Sequence, residues 1–176
     1  MAVTQITASM LAPLRGEKRW DYLSRAKTMR IATGNEDGSI YLSPLWFLVR
    51  EQRLYIPVDA ASRHGANFEA GRPLAALVDG GDEYATVSGV RILGSMRVVQ
   101  DAALVDELKE MVREKYIHVG HPYADSYFEF GEWAGRRYFE LVPEKMIGWD
   151  SRETTIPQVP ERRVLPGHLT DRRLGG

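Results

Sequence analysis

The chain has 176 residues, 44% apolar and 27% charged, with 23 basic against 24 acidic side chains, which fits one globular domain and little more. A net charge of -1 gives no long-range pull toward nucleic acid or membrane, and DNA binding, which needs clustered cations, is disfavoured. The absence of cysteine removes disulfides, thiolate metal sites, iron–sulfur clusters and cysteine nucleophiles, and it suits a reducing compartment.

Residues 1–16 read as an irregular arm. Their apolar stretch is too short for a signal peptide, and no later segment approaches the roughly 18 unbroken apolar residues of a membrane helix, so a cytoplasmic location is expected. From Glu17 to about Thr28, Trp20, Leu23 and Ala26 recur at helical spacing and predict a short amphipathic helix. MRIATG (29–34) reads as a strand, and Asn35-Glu36-Asp37-Gly38 as a tight turn, since Asp-Gly readily takes the positive φ a hairpin needs. SIYLSPLWFLV (39–49) predicts one long return strand; its Pro44 has no N–H to donate, so a bulge or an unpaired edge is expected there. Glu51-Gln52 turns the chain into RLYIPV (53–58), which completes a three-stranded meander.

Ser62 is placed to cap a short helix to Ala70, with Gly71 as its stop and Pro73 just beyond. PLAALVD (73–79) is continuously apolar, as in a strand buried on both faces, and Gly80-Gly81-Asp82 ends it. TVSGVRILGSMRVVQ (86–100) is another long strand, in which Gly89 and Gly94 mark bends or the close approach of another backbone. Asp101 caps the clearest helix, where Leu104, Val105, Leu108, Met111, Val112 and Tyr116 form one apolar stripe. Residues 118–135 form an aromatic connection, and RRYFELVP (136–143) and KMIGW (145–149) read as two closing strands. The tail over 151–176 is rich in proline and arginine and has no period, which predicts a wrapping or disordered extension. This order of elements is that of an antiparallel barrel with a few helices, an α+β fold.

Ala32-Thr33…Asp37-Gly38, Ser43-Pro44, Ser62-Arg63-His64…Asn67, Gly94-Ser95-Met96 and Pro143…Trp149 follow one another in this order over residues 17–150. The set resembles the pyridoxamine 5′-phosphate oxidase-like flavin-binding split-barrel superfamily, and within it the flavin/deazaflavin oxidoreductases. The resemblance implies a split β-barrel of six to seven strands with two to four helices. It also implies a homodimer that holds a flavin-type cofactor at the subunit interface.

Taken physically, Ser62-Arg63-His64 offers a hydroxyl, a forked cation, an imidazole and backbone amides, a donor set that suits a phosphate. The same residues also suit a helix cap with two solvated side chains. The resemblance implies that they grip the cofactor phosphate. Relatives usually have lysine where His64 stands, and a partly charged imidazole predicts cofactor binding that falls between about pH 6 and 8. Leu42, Ser43, Pro44 and Leu45, with Pro57 and Val58 taken to lie on a neighbouring strand, are implied to line an isoalloxazine ring; without the resemblance they read as barrel core at a proline-marked edge. Asn67 is implied to reach the phosphate or ribityl hydroxyls, or else bonds nearby backbone. Trp149 is implied to pack on the ring edge, or is an ordinary core or interface tryptophan. Tyr84 and Arg91 lie where the family's other subunit contributes cofactor contacts.

Other signals carry less. Ser24-Arg25-Ala26-Lys27 fits the S-x-x-K of penicillin-recognising enzymes but lacks the accompanying elements. His118 and His121 have a metal-ligand spacing without further ligands, and no dinucleotide or Walker glycine motif is present. The expected activity is an FMN-dependent oxidoreductase transferring hydride with a small organic substrate. The alternatives are a deazaflavin (coenzyme F-420)-dependent reductase and a non-catalytic flavin- or haem-binding protein. Pyridoxamine 5′-phosphate oxidase activity itself is disfavoured, because no Arg-x-His motif follows Trp149.

Overall fold

The computed structural model describes residues 12–83, 86–117, 122, 126 and 135–153. Ala12–Pro13 (β1) pair with the end of the last strand, and helix α1 follows at Gly16–Arg25. The chain continues through β2 (Thr28–Gly34), β3 (Ile40–Trp46), β4 (Leu48–Arg50), β5 (Arg53–Asp59), α2 (Arg63–Glu69), β6 (Leu74–Gly80), β7 (Ser88–Val98), α3 (Ala102–Tyr116) and β8 (Arg136–Asp150), closing in a short 3-10 turn at Ser151–Glu153. The strands pair antiparallel in the order β3-β2-β6-β7-β8-β5-β4, with β1 added on β8. Among the described residues the result is a curled antiparallel sheet with three helices, the expected α+β split barrel; β1 takes the strand count there one beyond the expected range.

The barrel is closed by one stretch of chain. β3 and β4 stand at opposite ends of the pairing order yet are separated only by Phe47, so the chain leaves one edge of the sheet and joins the other at that residue. Phe47 is fully buried. Its N–H donates to Tyr116 Oη at 3.0 Å, and its carbonyl accepts from Tyr116 Oη at 2.6 Å and Lys115 Nζ at 3.0 Å, so buried backbone groups at the seam are paired by α3. The expected single strand over 39–49, and the meander built on it, are corrected accordingly: the segment bends into two ladders because the bend sinks Phe47 into the core. Pro44 sits on edge strand β3 opposite Arg30, which answers its missing N–H without a bulge.

Alternation along the strands fills the barrel. Met29, Ile31 and Thr33 of β2, Leu74, Ala76 and Val78 of β6, Val90 and Ile92 of β7 and Phe139 and Leu141 of β8 are all buried. A second cluster of Leu48, Tyr55, Leu108, Val112, Ile117 and Tyr138 lies under α3 and covers the other side of β5. α2 is capped by Ser62 Oγ, which accepts from Gly65 N, and is stopped by Gly71 at φ +64°. α3 is capped by Asp101, whose side chain accepts from the Ala103 and Leu104 amides.

Several boundaries differ from expectation. α1 ends at Arg25 because Thr28 is drawn into β2 opposite Trp46. The arm over 1–16 is not irregular throughout, since Ala12 and Pro13 register with Asp150 and Trp149. Residues 136–143 and 145–149 form one strand with a bulge: Gly94 pairs with Pro143 and Leu93 with Lys145, leaving Glu144 as the extra residue. Gly94 permits this crossing, because a Cβ there would lie 2.2 Å from the Val142 carbonyl oxygen. β6 is buried on one face only, with Ala75 and Asp79 exposed.

That exposed side of β6 belongs to a wider surface. Across the registers run two rows, Leu42–Ala32–Ala75–Leu93–Lys145 and Pro44–Arg30–Leu77–Arg91–Ile147. Leu42 is 62% exposed, and beside it Ile40 is 75% exposed. The outer face of the sheet therefore carries exposed Ile40, Leu42, Leu93 and Ile147 interspersed with Arg30, Arg91 and Lys145.

Candidate functional site

The loop between β5 and α2 is wound about Asp59. The Ser62 amide and hydroxyl both donate to the Asp59 carbonyl, at 3.0 and 2.6 Å, and the Ala61 amide donates to Asp59 Oδ1 at 2.8 Å. Gly65 rests so close to this turn that a Cβ would meet the Asp59 and Ala60 carbonyl oxygens at 2.5 and 2.7 Å. Ser62 Oγ is thereby committed to shaping the loop. Arg63 alone turns outward as a cation, its guanidinium 5.6 Å from the Tyr41 ring. It also helps hold the Asp37 carboxyl below its usual range, behind the larger effect of the hydrogen bonds from Ser39.

His64 turns the other way and is 2% exposed. Its Nε2 meets Ser43 Oγ at 2.9 Å and its Nδ1 meets Thr33 Oγ1 at 3.4 Å. Asn67 Nδ2 donates to Thr33 Oγ1 at 2.8 Å and to Asn35 Oδ1 at 2.9 Å. The ring lies between those of Tyr41 and Phe68, at 4.7 and 5.4 Å. Burial pushes the imidazole below its ordinary pKa of 6.5, because a charged ring would lose its water. His64 is therefore an interior residue whose burial favours the neutral ring, rather than a solvated side chain facing a ligand. Ser43, His64, Thr33, Asn67 and Asn35 form one polar chain that locks α2 onto β2 and β3.

The remaining candidates are spread over the sheet. Leu42 and Pro44 face outward on β3, while Ser43 and Leu45 are half-buried between them. Pro57 and Val58 are buried on β5, opposite Tyr138 and Arg137, and β5 is not a ladder neighbour of β3; the two meet only where the sheet curls round. Arg91 lies in the Pro44 row, three residues along the strands from the level of Thr33, a distance of about 10 Å. Trp149 covers Gly89, two residues further on, about 17 Å from that level. One copy therefore does not bring Arg91 and Trp149 to the Arg63 loop. Tyr84, His118 and His121 lie outside the described residues.

At the Trp149 end of the sheet a cleft of about 560 Å³ opens between α1 and the ends of β6 and β8, lined by residues that include Leu14, Tyr22, Asp79, Asp150 and Arg152. Asp150 is held below its usual range by Arg152, which bonds it at 2.9 and 2.7 Å. Among the described residues there is no cluster of three metal-ligating side chains, and no helix is long and apolar enough to cross a membrane.

Comparison by sequence decides the family: the model described as pyridoxamine 5′-phosphate oxidase matches residues 17–150. The chain belongs to the pyridoxamine 5′-phosphate oxidase family. No curated protein matches it. Among solved structures, this family member is similar to the conserved hypothetical protein Rv2991 from Mycobacterium tuberculosis, with 20% identity, a TM-score of 0.73, and 90% of this chain and 97% of that one covered. It is also similar to HutZ, a heme storage protein from Vibrio cholerae (15% identity, TM-score 0.61, covering 80% of this chain and 99% of that one). An FAD-binding protein from Mycobacterium smegmatis matches at 15% identity and a TM-score of 0.56, over 78% of this chain and 96% of that one. At such identities the likeness is one of fold.

Thr33, Asn35 and Tyr41 also touch His64, Asn67 or Arg63, and the sequence did not mark them as site residues. Thr33 had a signal, because it continues the inward parity of Met29 and Ile31. Tyr41 had none.

Proposed function

We propose that this protein is an FMN-dependent oxidoreductase, and that the flavin lies between two copies of the chain with its phosphate on Arg63. Family membership supports a flavin, which when bound supplies the acceptance and return of hydride. The donor set fits the group in part: Arg63 is the outward cation, Ser62 and Gly65 hold the loop to shape, and His64 and Asn67 serve from beneath. A single outward cation supports one compact phosphate over the longer anionic tail of coenzyme F-420. HutZ is a heme storage protein, but both ring nitrogens of His64 already face hydroxyl groups, which favours flavin over haem at this loop.

The observation that carries the dimer is the separation of the candidates within one chain. The Arg63 loop and the Arg91–Trp149 region lie some 10–17 Å apart along strands whose outer face exposes Ile40, Leu42, Leu93 and Ile147 among charged residues. A two-fold pairing of such faces is self-complementary and sets the loop of one copy toward the far end of the other. Leu42 and Pro44, outward on β3, then offer a partly apolar shelf beside the loop, and the cleft near Trp149 has the volume for a small organic substrate.

The test is direct titration of the protein with FMN, followed by flavin fluorescence, with coenzyme F-420 and haem titrated in parallel. Saturable FMN binding that is the tightest of the three is expected; tighter deazaflavin or haem binding would replace FMN in this reading. Reduction of the bound flavin by a substrate then separates an enzyme from a flavin carrier.

A further inference from the structure

The seam that closes the barrel gathers amines as well as rings. Lys115, on the last turn of α3, places its Nζ 3.0 Å from the Phe47 carbonyl oxygen, 4.5 Å from the Phe47 ring centroid and 5.4 Å from that of Tyr116. Trp46 stacks on Tyr116 at 4.5 Å with the planes 8° apart. Lys27, from the link between α1 and β2, reaches the same place: its Nζ donates to the Lys115 backbone carbonyl at 2.5 Å and lies 5.6 Å from the Tyr116 ring. Two lysines thus share one aromatic wall, and the flavin reading uses neither.

We propose that Lys115 is an imine-forming amine which, with Lys27 beside it, captures small aldehydes that carry an anionic group. The surroundings raise the share of the neutral amine such chemistry needs. Half-burial among rings strips water from the ammonium, and the charge of Lys27 adds to the cost, so the pKa falls from 10.5 to about 8. Among the described residues the other titratable group at the wall, Tyr116, is pushed up to about 12 by burial and stays an uncharged phenol.

The reaction balances without a redox partner. The Nζ lone pair adds to the aldehyde carbon, and one N–H proton moves to the carbonyl oxygen. The second N–H proton leaves with that oxygen as water, so amine plus aldehyde gives imine plus water. The Phe47 carbonyl, holding one N–H in the resting state, aims the lone pair. Lys27 is exposed and supplies the cation for a carboxylate or phosphate on the aldehyde, and the ring wall keeps the reacting carbon partly dry.

The test uses the full chain, with glyoxylate as the anionic aldehyde and cyanoborohydride to fix the imine as a secondary amine, followed by peptide mapping by mass spectrometry. At neutral pH, labelling of Lys115 is expected on the order of tenfold ahead of the exposed Lys18. Equal labelling at both would overturn the proposal. In Lys27→Met, labelling of Lys115 by glyoxylate is expected to fall several-fold more than labelling by uncharged propanal, since only glyoxylate loses its cation. An equal fall with both aldehydes overturns the role of Lys27 and the anionic class of ligand with it.

Discussion

Arg63 and His64 are adjacent in the chain and face opposite sides of one loop, the first into solvent and the second into the core. Removing the cation tests the outward side: Arg63→Ala is expected to weaken FMN binding by about ten- to a hundredfold, the worth of a charge-assisted phosphate contact, while leaving the melting temperature nearly unchanged. Fluorescence titration of both proteins measures it. His64 makes a different prediction. Its folded pKa lies below the unfolded 6.5, so the unfolded chain takes up the proton first. Its contribution to stability is complete above pH 6.5 and is lost as pH falls through the folded pKa. Thermal melts should therefore show a decline on the acid side that is shallower in His64→Gln, even though that variant is about 1–3 kcal/mol less stable overall for its lost hydrogen bonds. FMN affinity, by contrast, should respond to this titration only on the acid side of pH 6.5, because burial favours the neutral ring.

Among the elements, the seam at Phe47 decides how the barrel closes. Tyr116 both accepts from the Phe47 amide and donates to its carbonyl, so Tyr116→Phe leaves a buried N–H unpaired; a loss of about 1–3 kcal/mol in denaturant unfolding is expected. A variant as stable as the parent would mean that the seam holds without α3. Element identity was legible in the sequence wherever period and cap agreed, as in α3 with its apolar stripe behind Asp101. It failed where the deciding contacts are non-local. Nothing in LSPLWFLV marks the residue at which one ladder gives way to another, because both halves are equally β-prone. Likewise Glu144 is a bulge only because Gly94 lets two backbones meet across from it. At the site, the Ser62 cap and the outward Arg63 follow from local order. The inward turn of His64 could not be read, since its partners Thr33 and Ser43 come from two strands that only the fold brings beneath α2.

For the whole molecule, the proposed dimer would cover the exposed apolar side chains of the outer face and bring the dispersed site residues together. Leu42, exposed at the centre of the β3 edge row, is the sensitive position. Leu42→Asp places an unpaired carboxylate in that contact and is expected to shift sedimentation from dimer to monomer and to weaken FMN binding together. If the variant is monomeric and binds FMN as before, the site is complete in one chain and the shared arrangement is wrong. The central claim is tested most directly by denaturing protein that has been saturated with FMN and freed of excess by gel filtration, then measuring the flavin released per chain. One FMN per chain, carried by a dimer, is the predicted result. Protein that emerges as a dimer without flavin, or holds only haem, contradicts it.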